Sequence, residues 1–349
     1  MTLNLKAKIY NDETAARKHL ERIQWPEGPI CPHCGVIGEA TLMEGKSTRP
    51  GVYKCRPCQK PFSVTVGTVF ERSHIPLTKW LLATELLTAS KKGISSHQLS
   101  RMLNVTYKTA WFMAHRIREA MMPVQGSEPP LGGDGSVVEA DETEISPSKK
   151  SRPRKRSKNL KFVSLVERGG AVRSRKITGA KKSITVEVRQ ALRANVDEAS
   201  TLHTDGAQMY EHTLAVEHHE AVNHNKEFVR DGEHGEKVHV NSAEGYFSIF
   251  KRGLVGTYQH MSEQHLHRYL AEFDFRMSNR ARLGIDDDMR AVKALEGIVG
   301  KRLTYRRTNK AAHEQAASAS VRLGSAGSGR LLRGSAKFGT KGLLPRERC

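Results

Sequence analysis

The chain has 349 residues, a length that allows two or three domains. Of these residues 38% are hydrophobic, enough to form a sizeable core. Lysine and arginine total 57 against 37 aspartates and glutamates, and the resulting net charge of +20 favours a polyanionic partner, nucleic acid before an anionic membrane. No apolar run approaches the ~20 residues of a membrane helix, and the N-terminal segment lacks the apolar core of a signal peptide, so we expect a cytosolic protein.

Four of the five cysteines form two CxxC pairs near the N-terminus. Two CxxC turns at this spacing can close a tetrahedral Zn²⁺ site, and four thiolates leave no open position for catalysis. We therefore predict a structural zinc ribbon within residues 1–70, preceded by a short helix in "DETAARKHLERIQ". A redox role for the CxxC pairs is the weaker alternative. The predicted zinc ligands are Cys31, Cys34, Cys55 and Cys58.

Residues 71–121 have a helical pattern, and the stretch 91–121 looks like a helix-turn-helix. Apolar residues fall at helical spacing on both sides of a short turn, and Thr106 can cap the second helix. The start of that helix is where a recognition helix contacts base edges. A plain helical hairpin with solvated basic residues is the alternative. The candidate DNA-binding residues are Tyr107, Lys108, Thr109 and Arg116.

A change of pattern follows residue 121. Residues 122–136 are rich in Pro, Gly and Ser and are predicted to be a linker. Strand-like alternation begins at 137, residues 159–177 predict a hairpin around Gly169 and Gly170, and a helix at 183–196 and a strand at 201–205 follow. We expect a mixed α+β or α/β domain over 137–307. The basic loop at 146–159 should form no packed element, and the basic tail at 308–349 should be disordered.

Three carboxylates in this domain stand out by context. Asp141 lies in the alternating segment "VVEADETEI", Asp205 ends "TLHTD", and Glu244 lies in the aromatic run "HVNSAEGYFSIFKRG". Carboxylates at two strand ends and on a facing helix can converge on a hard cation such as Mg²⁺. Lys251 follows Glu244 by two helical turns, so both would point from one helix face. Taken singly, each acid is better explained as a solvated surface residue.

The motifs, in this order, resemble those of the zinc-ribbon insertion-sequence transposases of the DDE class. The resemblance spans about Ala15 to Arg307 and rests on the cysteine ribbon, on "VEADETEI", on "LHTDGAQMY" and on the block that starts with "HVNSAEGYF". It implies a ribonuclease-H-like catalytic domain in which Asp141, Asp205 and Glu244 bind the catalytic metal, two Mg²⁺ ions in the mechanism that we expect.

The resemblance also implies roles for residues beside these three. Lys251 can reach a DNA phosphate next to the scissile bond, although a snorkelling surface lysine is an equal alternative. Some relatives have an asparagine in the third acidic position, so Asn241 is the alternative to Glu244. We prefer Glu244, because a carboxylate neutralises the charge of the ion. Glu139 shares the strand face of Asp141, and the resemblance, not the periodicity, selects Asp141.

The expected function is that of a DNA transposase. The ribbon and the helix-turn-helix would bind the element ends, and the catalytic domain would hydrolyse the phosphodiester there and join the 3′-hydroxyl to target DNA. We expect double-stranded DNA as the partner, at least a dimer on that DNA, no membrane partner and a cytoplasmic, nucleoid-associated location. The alternatives are an inactive DNA-binding regulator, a nuclease that cleaves without joining, and a degenerate copy of an element.

Overall fold

The described residues form a small N-terminal sheet, a larger mixed sheet and helices around both. The computed structural model describes residues 4–124, 126–145, 159–179, 181–210, 216–223, 226–233 and 235–304, without the side chains of 181–183. Most of the predicted basic loop (146–158) and the whole predicted tail (308–349) lie outside these residues. The helices are α1 (Glu13–Gln24), α2 (Leu77–Ala89), α3 (Ser96–Leu103), α4 (Tyr107–Met121), α5 (Lys181–Asn195), α6 (Asn241–Gly253), α7 (Leu266–Ser278) and α8 (Asp287–Glu296). The strands are β1 (Ala40–Leu42), β2 (Tyr53–Cys55), β3 (Pro61–Phe62), β4 (Val137–Ile145), β5 (Leu160–Glu167), β6 (Val172–Ile177), β7 (Thr201–Thr204), β8 (His218–Ala221), β9 (Arg230–Asp231) and β10 (Lys237–Val238).

The N-terminal sheet is the antiparallel ribbon β1-β2-β3. Helix α1 precedes it and begins at Asp12, whose side chain accepts a hydrogen bond from the Thr14 backbone N–H at 2.8 Å. Trp25 follows the helix and packs edge-on against Tyr53 and Phe62, with ring centroids 5.5 and 5.7 Å away. The predicted short helix and the ribbon after it are therefore both present.

Helices α3 and α4 are joined by a short turn with strong local signals. Ser95 caps α3 by accepting the Gln98 N–H at 3.1 Å, and Thr106 caps α4 by accepting the Thr109 N–H at 3.2 Å. Asn104 ends α3 in the left-handed region with φ 48°, a conformation that asparagine tolerates better than most residues. The predicted pair of helices and its turn are confirmed at these positions.

The larger sheet has the order β6-β5-β4-β7-β8. Its β4-β5-β6 part is antiparallel, and β7 and β8 run parallel to β4, so the sheet is mixed. The predicted hairpin at 159–177 is confirmed as β5 and β6. Helix α5 packs with buried residues of one face of the sheet, and helices α6 and α7 pack with those of the other.

Packing links the N-terminal helices to the larger sheet's helices. The residues up to Leu303 form one unit. Helix α8, which lies in the predicted 137–307 domain, packs through Leu295 against the core of α1, α2 and α4. Leu131, within the predicted linker, is buried and exchanges backbone hydrogen bonds with Asn195 and Asp197. The domain boundaries themselves stay a prediction.

No helix among the described residues combines the length and the apolar character that crossing a lipid bilayer requires.

Candidate active site and zinc site

The four cysteines of the ribbon come together at one point. The sulfur atoms of Cys31 and Cys58 are 3.7 Å apart, and those of Cys34 and Cys55 are 3.6 Å apart. These separations are too long for disulfides, and all four cysteines are free thiols. A tetrahedral zinc ion with bonds of about 2.3 Å places its sulfur ligands about 3.8 Å from one another. The four thiols therefore fit a zinc ribbon.

The register of two parallel strands brings the two predicted aspartates together. Strand β4 pairs with β7 so that Glu139 lies beside His203. Side chains return to the same face every two residues, so Asp141 and Asp205 are the next pair along that face. Asp205 directly follows β7, where Gly206 takes a left-handed φ of +77° that suits glycine and turns the chain.

Helix α6 brings the third predicted carboxylate to the same face of the sheet. Its buried side, which includes Tyr246, Phe247 and Phe250, packs into the core with β5 and α7. Its opposite side leaves Glu244 and Lys251 exposed, two helical turns apart. The aromatic residues are core packing, as the sequence predicted, and the amphipathic pattern thus sets the direction of Glu244.

The electrostatics of Asp141 show that these carboxylates are neighbours. Burial, the charge of Asp205 and that of Glu142 raise the pKa of Asp141 to about 7, and Glu244 adds to the rise. The Glu142 backbone N–H opposes it by donating to Asp141 Oδ1 at 2.7 Å. The structure therefore places Asp141, Asp205 and Glu244 near enough to one another for the charges of Asp205 and Glu244 to raise the pKa of Asp141.

A fourth acid lies behind Asp141 on the same strand. Glu142 points to the opposite face of β4, where the Tyr210 hydroxyl donates to its Oε2 at 2.7 Å. Burial raises the pKa of Glu142, and this hydrogen bond opposes the rise. Glu142 thus has a structural partner of its own.

Glu139 has a role that the sequence did not indicate. The Ser242 and Ala243 backbone N–H groups donate to its Oε2 at 2.7 and 3.1 Å, so its buried carboxylate caps the start of α6. Its Oε1 accepts a hydrogen bond from Arg168 Nε at 2.7 Å in an ion pair. Glu139 therefore fixes the position of α6, and with it the position of Glu244. Both of its carboxylate oxygens are engaged in these hydrogen bonds.

Asn241, the alternative to Glu244, is the first residue of α6 and is exposed. Its backbone N–H donates to His239 Nδ1 at 3.3 Å. The structure places Asn241 and Glu244 one turn apart at the start of the same helix, so the choice between them stays a prediction.

The candidate DNA-binding residues of α4 separate into two groups. Tyr107 and Lys108 are exposed at the start of the helix, where Tyr107 stacks on His97 with ring centroids 4.3 Å apart. The Thr109 hydroxyl contacts the cap of α4 at 2.9 Å. Arg116 lies nine residues after Tyr107, on the opposite helix face, and donates to the Glu71 carbonyl at 3.2 Å. The structure does not bring Arg116 to the start of the helix.

A second polar cluster lies beside Glu139, which no sequence motif indicated. Ligand atoms of His203, Glu220 and Glu236 lie within 4.8 Å of one another. Arg168 Nη2 lies 3.1 Å from His203 Nδ1, and since arginine only donates, that atom accepts and the proton of the neutral ring is on Nε2. Burial and Arg168 lower the pKa of His203 to about 4, which keeps the ring neutral. A protonated Nε2 has no lone pair for a metal, so we interpret the cluster of His203, Glu220 and Glu236 as part of the polar core and not as a metal site.

The spacing of the three carboxylates differs from that of the cysteines. In the described part of the chain, the groups whose ligand atoms all lie within 4.8 Å are the four cysteines and the His203 cluster. Asp141, Asp205 and Glu244 are not one of these groups, so their ligand atoms do not all lie within 4.8 Å of one another. Oxygen donors of this kind fit a hard divalent cation such as Mg²⁺.

Comparison with known families gives matches over both parts of the chain. Residues 11–61 match the model of the transposase zinc-ribbon domain, and residues 124–278 match that of the ISXO2-like transposase domain. A Halobacterium salinarum protein, described as an uncharacterized protein in transposable element ISH50, is 28% identical over 284 residues, which cover 77% of this chain and 92% of that protein. The matches confirm that the chain resembles the zinc-ribbon insertion-sequence transposases of the DDE class, in its cysteine ribbon and in its larger sheet domain alike.

Proposed function

We propose that this protein cuts DNA at the ends of an insertion element and joins the freed 3′-hydroxyl to target DNA, with Asp141, Asp205 and Glu244 as ligands of two Mg²⁺ ions. The observation that carries the proposal is the placement of Asp141 on β4 beside Asp205, which directly follows β7, with Glu244 exposed on α6. The charges of Asp205 and Glu244 add to the burial that raises the pKa of Asp141. Such repulsion costs free energy in the folded protein unless a cation offsets it. The ribonuclease-H-like domain implied by the resemblance is compatible with the mixed sheet and its facing helix.

The bound ions would polarise the scissile phosphate and activate water for its hydrolysis. Asp141 and Asp205 hold their carboxylates at the end of a rigid strand pair, and Glu244 approaches from α6, which Glu139 anchors. Lys251, exposed two turns after Glu244, would donate to a phosphate oxygen beside the scissile bond. The same residues would orient the 3′-hydroxyl for attack on target DNA, so no covalent protein–DNA intermediate is needed.

DNA recognition is assigned to the ribbon and to α3 and α4 acting as a helix-turn-helix. Tyr107 and Lys108 at the exposed start of α4 are where a recognition helix contacts base edges. Thr109 would act mainly by fixing the cap, and Arg116 by its hydrogen bond from α4 to the Glu71 carbonyl. The net charge of +20 would make binding strongly salt-dependent. Two element ends must be held together, so a homo-oligomer on DNA in the cytoplasm, at the nucleoid, completes the proposal.

The test is a cleavage assay on duplex DNA that carries the element's own ends, with Mg²⁺ or Mn²⁺ supplied or omitted. Metal-dependent nicks at the ends together with joined products support a transposase. Nicks without joined products would indicate a nuclease instead. Specific binding of the ends with no cleavage under either metal would favour the alternative, a catalytically inactive regulator derived from a transposase.

A further inference from the structure

A cavity of about 480 Å³ lies between the helix pair α3–α4 and the segment that joins α6 to α7. On the second side, α6 passes directly into a π-helical turn, Leu254–Tyr258, whose last residue lines the cavity. The volume lies in the range of small-molecule sites. Among the described residues, no aspartate, glutamate, lysine or arginine lines the cavity, so its wall carries no fixed charge and consists mainly of aromatic rings, amides, hydroxyls and imidazoles.

The helix side of this cavity is aromatic. Tyr107 and Trp111 lie one turn apart on α4, and both line the cavity. The Tyr107 ring stacks on His97, a third lining residue, with ring centroids 4.3 Å apart and an interplanar angle of 27°. The two rings cover one face of each other, and Tyr107 is still 48% exposed. A further flat ring can therefore extend this stack from the solvent side.

The opposite side of the cavity presents accessible polar groups. Gln259 and His260 follow the π-helical turn, line the cavity and are exposed. An amide both donates and accepts hydrogen bonds, and so does a neutral imidazole. A flat ligand stacked on His97 and Tyr107 would thus meet hydrogen-bonding groups along its edge without having to displace buried side chains.

We propose that this cavity binds one unpaired base of DNA, stacked on His97 and Tyr107, with the polar edge of the base towards Gln259 and His260. The choice of DNA as the ligand rests on the proposed function. Proteins hold a base that has left the helix by aromatic stacking and by hydrogen bonds to its edge, and both are available here. A paired base cannot enter, because its neighbours cover its faces and its partner covers its edge. A free nucleotide fits less well, since no lining cation would meet its phosphate.

Each side of the cavity is close in sequence to a cation that we propose to bind a DNA phosphate. Lys108 directly follows Tyr107 on α4, and Lys251 precedes Tyr258 by seven residues, roughly 10 Å along a helix axis. The backbone of an unpaired nucleotide would therefore find positive charge outside the uncharged cavity. Glu244 lies a further seven residues before Lys251, so the bound base belongs to a neighbouring nucleotide and not to the reacting phosphate.

The experiment measures, by fluorescence anisotropy, the affinity of the zinc-loaded full chain for three labelled duplexes in a buffer without Mg²⁺ or Mn²⁺. One duplex is fully paired, one carries a single extra thymidine in one strand, and one carries an abasic residue in place of that thymidine. We expect the thymidine bulge to bind at least about tenfold more tightly than the paired duplex, because its base leaves the stack at little cost. The abasic bulge has the same extra phosphate but no base, so it should bind at least about tenfold more weakly than the thymidine bulge.

Variants of the cavity show where the base is held. His97→Ala removes one ring of the stack at an exposed position and should reduce the preference for the thymidine bulge about fivefold or more. His267→Ala is the same change at an exposed residue of α7 that does not line the cavity, and it should leave the preference unchanged. Ser262→Trp fills the cavity and should abolish the preference while the paired duplex still binds as it does to wild type.

Two results would overturn the proposal. One is equal affinity of the wild type for the thymidine and abasic bulges, and the other is an undiminished preference in both His97→Ala and Ser262→Trp. These duplexes carry no element ends, and the buffer contains no catalytic metal. A protein that fails to cut DNA can therefore still show the preference, and a protein that cuts DNA can lack it, so the failure of this proposal is distinguishable from the failure of the proposed function.

Discussion

Asp141 on β4 and Asp205, directly after the neighbouring parallel strand β7, each lie two residues beyond the paired residues Glu139 and His203. Asp141 and Asp205 are two neighbouring acids. Glu139 and His203 lie in a polar core, where Arg168 contacts both side chains. Two adjacent levels of one strand pair therefore have different chemistry. The level of Asp141 and Asp205 holds two of the three carboxylates that we propose as metal ligands, and the level of Glu139 positions the helix that carries Glu244.

The raised pKa of Asp141 predicts that the metal-free protein loses stability as the pH rises. The unfolded side chain has its ordinary pKa near 4, whereas the folded one holds its proton up to about pH 7. The folded state is thus favoured fully below pH 4, and that contribution is lost between pH 4 and pH 7. Asp141→Asn should raise the free energy of unfolding at pH 8 by up to about 4 kcal/mol and leave it unchanged at pH 4. Urea titrations without Mg²⁺ and without chelator measure the free energy of unfolding at each pH. Equal stability of wild type and Asp141→Asn at pH 8 would contradict the raised pKa of Asp141.

Glu139 should act on α6 and not on the metal. Glu139→Gln leaves Arg168 without its carboxylate and weakens the cap at Ser242, so we expect a loss of about 2–4 kcal/mol in the free energy of unfolding. Glu144→Gln, the same change at an exposed residue of β4 paired with Lys161, should cost under about 1 kcal/mol. Mn²⁺ binding, followed by electron paramagnetic resonance, should persist in folded Glu139→Gln and disappear in Asp141→Asn. Loss of the Mn²⁺ signal in both would make Glu139 a ligand.

Lys251 should contribute to the chemical step more than to DNA affinity. If its ammonium group meets a phosphate beside the scissile bond, Lys251→Ala should lower the single-turnover cleavage rate about 100-fold with little change in Kd for the ends. The neighbouring Arg252→Ala is the matched control, because Arg252 is also exposed but points about 100° further around α6. Equal effects of the two substitutions would reduce Lys251 to a general contributor of positive charge.

Zinc should be bound by the four ribbon thiols and should stabilise only that part of the chain directly. Cys55→Ser removes a buried ligand, and we expect the zinc content to fall from about one ion per chain towards zero with loss of the ribbon's proteolytic resistance. Cys349→Ser changes the fifth cysteine, outside both CxxC pairs, and should keep the full zinc content. Elemental analysis by mass spectrometry of both variants provides the measurement. A full complement of zinc in Cys55→Ser would exclude the four-thiol site.

The start of α4 should contribute to DNA binding through the backbone phosphates and base edges. Lys108→Ala should weaken binding of the ends and reduce the slope of log Kd against log salt by about one unit, since one phosphate contact is lost. Arg116→Ala should leave that slope unchanged, because Arg116 contacts Glu71 on the opposite face. Fluorescence anisotropy at several salt concentrations distinguishes these outcomes. An unchanged slope in Lys108→Ala would show that Lys108 makes no phosphate contact.

Local signals in the sequence predicted much of the fold. The cap residue Thr106, the Gly169-Gly170 turn and the CxxC spacing each fix their own structure within a few residues. Those elements appear where the patterns placed them. The three carboxylates were selected by a resemblance, and the structure brings them together through strand register and helix packing.

The missed features depend on pairings between distant parts of the chain. Glu139 caps a helix that begins a hundred residues later, and Arg276 shares Glu272 with Arg118 on another helix. Periodicity along one segment carries no information on such partners. Glu139 was therefore only an alternative to Asp141 in the sequence, and the pairing of Arg118 and Arg276 with one carboxylate had no sequence signal at all.

The most direct measurement compares wild type with Glu244→Gln in the cleavage and strand-transfer assay, with Mg²⁺ or Mn²⁺ and DNA carrying the element ends. Glu144→Gln, an identical chemical change at an exposed carboxylate outside the cluster, is the control. We predict metal-dependent nicks and joined products in wild type and Glu144→Gln, and neither product in Glu244→Gln, although it still binds the ends. Cleavage by Glu244→Gln at the wild-type rate would contradict the account and direct the search for the third ligand to Asn241.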